Sequence, residues 1–197
     1  MSRALLVEAF RKLAAVSDDE AAAIERSMLV RAYPAGTVLL EEGQVSTSAY
    51  FVLSGCIRQY SLVGGEERTL GFFTQSQWVI SLASMLRQAP AEHSLVCAED
   101  STVVVGDQTR EETLFREHPR LQVVSRLVVE PLLADEQTRL ASYVAASPEE
   151  RYLSLRRDRP GLLERVPLYQ VASYVGVRPE SLSRIRRRLV KQARTKK

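Results

Sequence analysis

Short runs of apolar residues, separated by glycine or polar residues, follow one another from Tyr33 to about residue 106. Tyr50-Phe51-Val52-Leu53 precedes Ser54-Gly55, and the run at 57–63 precedes Gly64-Gly65. The other runs lie at residues 37–40, 68–73, 93–98 and 102–106. Many short strands with turns about ten residues apart are typical of a small β-barrel or roll. Gly64-Gly65 predicts a tight hairpin, because glycine accepts the positive φ that such turns need.

Helical patterns flank this β-rich region on both sides. Residues 1 to about 30 predict one or two helices, and Ser17-Asp18-Asp19-Glu20 fits a capping box at a helix start. A short helix is predicted from Asp107 to about His118, followed by a long one from Pro119 to about Ala145. We expect Pro131 to kink or split the long helix, because proline lacks a backbone donor and clashes with the preceding turn.

The long helix carries an apolar stripe at intervals of three or four residues. Its members are Leu121, Val124, Val128 and Leu132. Such a narrow stripe is typical of one helix packing against another, and the identical helix of a second subunit is the economical partner. The alternative is that the stripe packs against the chain's own β-roll.

A second domain is predicted to begin at Ser147-Pro148-Glu149-Glu150, which combines a serine cap, a proline in the first turn and a capping-box glutamate. Three segments follow from this boundary: a β-roll with N-terminal helices at 1–118, a dimerisation helix at 119–146 and a helical domain at 147–197. Within the last segment, helices are predicted at 148–159, 167–174 and 179–192.

Residues 168–185 match the spacing of a helix-turn-helix. A small residue is needed where the helices cross, here Ala172, and a glycine in the turn, here Gly176. The five positions that must be apolar are Val171, Val175, Val177, Leu182 and Ile185. Because all seven constraints are met in one short window, the pattern predicts a DNA-binding helix pair.

On the second helix of this pair, Leu182, Ile185 and Leu189 form the inward stripe. Glu180 and Arg184 point outward at the end that enters the major groove in such domains, where arginine binds guanine and glutamate accepts from cytosine. The candidate DNA-backbone contacts are Arg178, Ser181, Arg187, Arg188 and Lys191.

Charge is distributed unevenly along the 197 residues, although the net charge is only +3. Residues 148–197 hold 14 Lys and Arg against 5 Asp and Glu, a net +9, whereas the remainder holds 13 against 19, a net −6. A strongly basic end predicts a polyanionic partner, either nucleic acid or anionic lipid. No apolar run approaches the roughly 18 residues of a membrane span, and no signal peptide is evident, so a cytoplasmic protein is expected.

Few residues of this sequence could form a metal site or a catalytic site. The two histidines, His93 and His118, are far apart, and the two cysteines, Cys56 and Cys97, form no CxxC motif. We therefore expect neither a metal site nor catalytic residues. A cupin-like metalloenzyme is disfavoured, because the sequence lacks the cluster of metal ligands that such an enzyme needs. The cysteines are interpreted as small buried residues, with a redox-sensing pair as the alternative.

The chain resembles the Crp–Fnr family of bacterial transcription regulators in the order of its elements. The β-roll signature corresponds to Pro34-Ala35-Gly36, Leu39, Glu42-Gly43 and residues 50–55, and Glu180-Ser181-Leu182-Ser183-Arg184 resembles the E-x-x-S-R motif of the Fnr branch. The resemblance implies an α+β homodimer with a cyclic-nucleotide-binding-like β-roll, a long dimerisation helix and a C-terminal helix-turn-helix. It also implies that Glu180, Ser183 and Arg184 contact bases of palindromic, TTGA-like half-sites in double-stranded DNA. If the protein is an activator, the resemblance implies RNA polymerase as a further partner.

Three departures from the family pattern limit this resemblance. Family members that bind cyclic AMP carry a Gly-Glu pair and later an Arg-Ser or Arg-Thr, whereas residues 77–82 and Glu92-His93-Ser94 lack both, which disfavours cyclic AMP. The N-terminal cysteines of iron–sulfur sensors are missing, because the first cysteine is Cys56. The sequence after the second helix, residues 193–197, is too short for the usual β-hairpin wing, and its basic residues are expected to substitute for it.

The effector therefore stays unidentified at this level. Phe72, Trp78 and Met85 are candidates for lining an effector cavity in the roll, with ordinary core packing as the alternative. The leading hypothesis is a DNA-binding regulator. The alternative is a ligand-binding β-roll whose basic end meets a membrane or a protein rather than specific DNA.

Overall fold

Helices and strands alternate along residues 2–195, which this computed structural model describes, with side chains described for residues 6–12 and 14–192. The N-terminal helices are α1 (Ser2–Leu13) and α2 (Asp18–Ser27). The β-rich region holds β1 (Leu29–Tyr33), β2 (Val38–Leu40), β3 (Ser48–Ser54), β4 (Ile57–Val63), β5 (Glu66–Phe73), β6 (Trp78–Val79), α3 (Leu82–Arg87), β7 (Ser94–Cys97) and β8 (Ser101–Asp107). The remaining helices are α4 (Gln108–Glu117), α5 (Arg120–Ala145), α6 (Pro148–Asp158), α7 (Leu162–Arg165), α8 (Leu168–Val175) and α9 (Pro179–Thr195).

The strands form two four-stranded sheets, which confirms the predicted mixed α+β architecture with a β-roll and a long helix. The first sheet has the order β1-β8-β3-β6 and the second β2-β7-β4-β5. Gly55, between β3 and β4, has φ of +94°, and a Cβ there would overlap with Ser101. Only glycine therefore fits this turn.

Side chains of the central strands β3 and β8 are buried on both faces. Phe51 and the Val104 opposite it pack with the helices, whereas Val52 and the Val103 opposite it belong to a separate cluster with residues of the second sheet. Successive side chains of a strand point to opposite faces, so one apolar run serves two cores. This explains why Tyr50-Phe51-Val52-Leu53 is continuously apolar rather than alternating.

Both predicted capping boxes are present. Ser17 and Glu20 cap α2, with the Ser17 N–H donating to Glu20 at 2.8 Å, and Ser147 and Glu150 cap α6 with the corresponding bond at 2.7 Å. The Ser17 backbone bond, followed by the charge of Arg120, holds the pKa of Glu20 below its ordinary value. Arg120 reaches Glu20 at 3.1 Å, which fastens the start of α5 to α2.

The apolar stripe of α5 packs within its own chain, so the predicted dimer interface is wrong for these side chains. Leu121, Val124 and Val128 are buried, and Leu132 is half-buried against the same core cluster. That cluster includes Phe10 of α1, Ile24 of α2 and Leu114 of α4. The cluster also includes Phe51 and Val104 of the first sheet, so the stripe is buried against both helices and the β-roll of its own chain.

Three local features also differ from the sequence-based expectations. α5 continues through Pro131, so the predicted split does not occur. Proline lacks a backbone N–H, so Pro131 costs α5 only one backbone hydrogen bond, and the helix continues on both sides of it. β1 begins at Leu29, before the expected change at Tyr33, and the short helices α3 and α7 were not anticipated.

Two compact units divide the chain. The first unit comprises Met1–Gln59 and Phe72–Gln137, and the second comprises Tyr60–Gly71 and Thr138–Lys197. The β4–β5 hairpin thus groups with the C-terminal helices. Across the helices that the structure describes, none combines the length and apolar character needed to cross a membrane.

Candidate functional site

The C-terminal helices α8 and α9 pack against each other through the apolar positions that the sequence singled out. Val171, Ala172, Val175 and Leu182 are at most 1% exposed. Ile185 is half-buried on the same side of α9. This burial leaves the opposite side of α9 exposed to solvent.

Gly176 makes the turn that joins the two helices. Its φ of +80° lies in the left-handed region, and its N–H donates to the Ser173 carbonyl at 3.1 Å. A Cβ at this position would lie 2.8 Å from the Tyr143 hydroxyl. Gly176 is therefore required both for the backbone conformation and for the close approach of Tyr143.

The candidate base-reading residues lie near the start of α9. Glu180 and Arg184 are exposed and one turn apart, whereas Ser181 and Ser183 are half-buried. The Arg184 guanidinium donates to the Ser181 hydroxyl at 3.2 Å. An acid and a guanidinium therefore project from one exposed face, with donor and acceptor groups suited to base edges.

The basic residues among the candidate backbone contacts are exposed as well, unlike Ser181, but their surroundings differ. Arg188 forms an ion pair with Glu149 of α6, whereas the Arg187 guanidinium donates only a long bond, 3.4 Å, to the Ser183 carbonyl. Lys191 is exposed, and the Arg178 carbonyl accepts from the Leu182 N–H at the start of α9. The basic side chains in residues 193–197 lie outside the described part.

One contact of α8 was missed by the sequence reasoning. The Ser173 hydroxyl accepts from the Thr69 N–H at 2.8 Å and donates to the Glu67 carbonyl at 3.0 Å. The Arg139 guanidinium donates to the nearby Leu70 carbonyl at 3.0 Å. The β4–β5 hairpin is thereby held within the second unit. A serine on a helix carries no sequence signal for such a long-range partner.

The segment that would hold a cyclic-nucleotide phosphate in the family pattern has unsuitable charges. The buried Nε2 of His93 has no hydrogen-bond partner among the described residues, and burial lowers the His93 pKa, so the ring is neutral at physiological pH. Glu42 and Glu92 are the charged groups that act on it. Ser94 already accepts from the Glu42 N–H at 2.9 Å. These residues do not fit a phosphate.

A cavity of about 330 Å³ lies elsewhere in the first unit. Trp78 and Met85 line this cavity, which is not the predicted cavity inside the roll, whereas Phe72 is not among the lining residues and is buried at 3% exposure. Over the residues that the structure describes, no group of three His, Cys, Asp or Glu is arranged to hold a metal ion. Cys56 and Cys97 are both buried and unbridged, and burial raises the pKa of the Cys97 thiol.

Residues 30–118 match the family model described as cyclic nucleotide-binding domain. The chain is 27% identical over 168 residues to the cyclic AMP receptor protein of Thermus thermophilus, covering 79% of this chain and 74% of the relative. These matches extend over the β-roll and agree with the two-sheet architecture.

Solved structures share the fold over most of the chain. The c-di-GMP-responsive global regulator CLP of Xanthomonas campestris superposes with a TM-score of 0.71 at 18% identity, covering 90% of this chain and 93% of that one. FixK2 of Bradyrhizobium japonicum gives 0.66 at 16% identity, covering 84% and 86%. At 16–18% identity, this likeness shows that the chain shares its fold with both proteins.

Proposed function

We propose that this chain is a Crp–Fnr-type transcription regulator that binds a palindromic DNA site as a homodimer in the cytoplasm. Residues 1–118 form the sensing part, 119–146 the dimerisation helix and 147–197 the DNA-binding helix-turn-helix domain. If the protein activates transcription, RNA polymerase is its expected partner.

The observation that carries this proposal is the combination of packing and exposure in α8 and α9. Leu182 is fully buried against α8, which fixes the rotation of α9, and Glu180 and Arg184 are thereby left exposed near its N-terminal end. That end of the second helix enters the major groove in helix-turn-helix complexes. The net charge of +9 in residues 148–197 supplies the attraction to phosphates.

Dimerisation needs a different surface from the one that the α5 stripe suggested. In the second unit, Leu140 and Val144 lie one helical turn apart on α5 and are 60% and 77% exposed. Exposed large apolar side chains at this spacing are typical of a helix that pairs with another helix. We propose that this pair contacts its own copy in a second subunit.

The decisive experiment compares Arg184→Ala with Arg187→Ala on DNA selected from random pools and on random DNA. Arg184→Ala should weaken binding to the selected site by about 1–3 kcal/mol and relax its sequence preference. Arg187→Ala should weaken both DNAs equally and reduce the slope of affinity against salt by about one unit. Arg187 is a cleaner control than Arg188, whose removal also leaves Glu149 without its ion pair. Arg188→Ala is nevertheless expected to act in the same sequence-independent way.

Two outcomes would reject the proposal. Equal losses from Arg184→Ala on selected and random DNA would remove the base-reading role. The absence of DNA binding at low salt would favour the alternative, a ligand-binding β-roll whose basic end contacts a membrane or a protein.

A further inference from the structure

The cavity of the first unit arises from two small residues that face each other in the first sheet. Ala49 of β3 and Gly106 of β8 are paired in register, and the same ladder continues, on the same face, with Phe51 and Val104. Phe51 and Val104 fill the space toward the helices, whereas Ala49 and Gly106 have almost no side chain to do so. The result is a cavity of about 330 Å³, a size at the lower end of small-molecule sites.

Its walls are mostly apolar and come from several elements. The main apolar lining residues are Phe10, Trp78, Met85, Phe115, Val128 and Val129. Leu86 of α3 also lines the cavity and is 76% exposed, so the cavity reaches the protein surface there. It is separate from the interior of the roll, which is filled by buried residues such as Val52, Ile57 and Leu95.

The charged groups of the cavity are of one sign. Among the described lining residues, Glu111 and Glu112 of α4 are the titratable ones, and none is Lys, Arg or His. Glu112 is exposed, whereas Glu111 is half-buried, and no hydrogen bond or ion pair from the described residues reaches its carboxylate. Burial raises the pKa of Glu111, because the charged form has lost water without gaining a partner.

We propose that this cavity binds a small apolar amine, with its ammonium group on Glu111 and its apolar body against Trp78, Met85 and Phe115. An ammonium ion supplies the charge that the Glu111 carboxylate lacks, and a hydrocarbon or aromatic body matches the walls. Anions such as cyclic nucleotides or fatty acids are disfavoured, because they would meet two carboxylates and no cation. The ligand class goes beyond the proposed DNA-binding function, and binding is measured on the protein alone.

Trp78 makes the site directly observable, because it is the only tryptophan in the chain. We suggest titrating the full-length protein at neutral pH with 4-phenylbutylamine, 4-phenylbutanol and 4-phenylbutyrate while recording tryptophan fluorescence. The three probes share one body and differ in charge. The amine should bind about tenfold more tightly than the alcohol, and the carboxylate more weakly than both.

Three variants separate the charge from the cavity. Glu111→Gln should lower the affinity for the amine about tenfold and leave the alcohol unchanged. Glu117→Gln, on the same helix but exposed and outside the cavity, should leave every affinity unchanged. Ala49→Leu should fill the cavity and weaken all probes. Because this substitution can impair folding, its thermal unfolding is compared with that of the wild type, and Glu111→Gln alone still decides the charge preference.

The proposal is overturned by either of two results. One is equal binding of amine and carboxylate, or no binding of any probe up to its solubility limit. The other is a preference for the amine that survives Glu111→Gln. Neither result depends on DNA, so both are distinguishable from a failure of the DNA-binding proposal.

Discussion

At the scale of single residues, Gly176 offers the sharpest test of the α8–α9 turn. Gly176→Ala should lower the free energy of unfolding by about 1–2 kcal/mol, because a Cβ at φ of +80° strains the backbone. The same Cβ would displace the Tyr143 hydroxyl, and the Tyr143 ring stacks on the Arg151 guanidinium with a centroid distance of 4.1 Å. Urea denaturation measures the change.

Gly161 provides a matched control in the same unit. Its φ is −63°, and a Cβ there would meet no atom within 4 Å. Gly161→Ala is therefore expected to be neutral or to stabilise by about 0.4–1 kcal/mol, through the lower entropy of the unfolded chain. Equal destabilisation by both substitutions would mean that the left-handed turn is not the reason for glycine at Gly176.

Glu111 predicts a pH dependence with a defined sign. Burial raises its pKa above the ordinary value of 4.5, so the folded state favours the protonated form more than the unfolded state does. Its contribution to stability is complete below the ordinary value and is lost as pH rises through the folded-state pKa. Glu112 is the other titratable group lining the cavity.

Glu111→Gln should therefore stabilise the protein by about 0.5–1 kcal/mol at neutral pH and have little effect near pH 4. Thermal unfolding across this pH range measures the difference. Glu117→Gln, on the exposed part of α4, should show no comparable pH dependence. A stabilisation that is constant with pH would contradict the assignment to Glu111 ionisation.

At the scale of elements, Ser173 tests whether the β4–β5 hairpin depends on α8. Ser173→Ala removes both hydrogen bonds to the hairpin backbone and should lower the free energy of unfolding by about 1–2 kcal/mol. Hydrogen exchange of the Thr69 amide should become faster. Ser142→Ala, at an exposed position of α5, is the control and should change neither quantity. Unaltered exchange at Thr69 in Ser173→Ala would argue against the link.

The long helix α5 illustrates how far an element can be predicted from its pattern. The spacing of Leu121, Val124 and Val128 predicts a helix with a buried stripe, and both features are present. The pattern does not specify the partner of the stripe. A neighbouring helix of the same chain and a helix of another chain both bury the same apolar area, so periodicity cannot distinguish them.

At the scale of the whole molecule, the proposed dimerisation through α5 is the proposal most open to direct measurement. Leu140→Asp should shift the protein from dimer to monomer in sedimentation equilibrium. The reason is that burying an unpaired carboxylate in the proposed helix–helix interface has a large desolvation free energy. Leu62→Asp is the control, since Leu62 is similarly exposed, 53% against 60%, but lies on the hairpin. A dimer that persists in Leu140→Asp at the wild-type dissociation constant would exclude this surface.

If the protein binds DNA as the proposed dimer, loss of the dimer should also weaken DNA binding. Each subunit of a helix-turn-helix dimer reads one half-site, so a monomer loses the second half of the interface. Residues 148–197, with their net charge of +9, would still attract random DNA. We therefore expect Leu140→Asp to reduce selective binding more than random binding.

The sequence by itself determined the features that depend on residues close to one another along the chain. The capping boxes at Ser17 and Ser147, the turn at Gly176 and the burial of Leu182 are local, because each requires only a few residues within one or two turns. The same local logic separated exposed Glu180 and Arg184 from the buried face of α9.

Only the tertiary structure decided the features that join distant parts of the chain. The cavity exists because Ala49 and Gly106, 57 positions apart, are paired in register, and Glu111 of α4 lines the same cavity and is desolvated by burial. The α5 stripe is buried in one cluster with residues of α1, α2, α4 and the first sheet of its own chain. Such outcomes depend on register and packing between elements, which no local pattern contains.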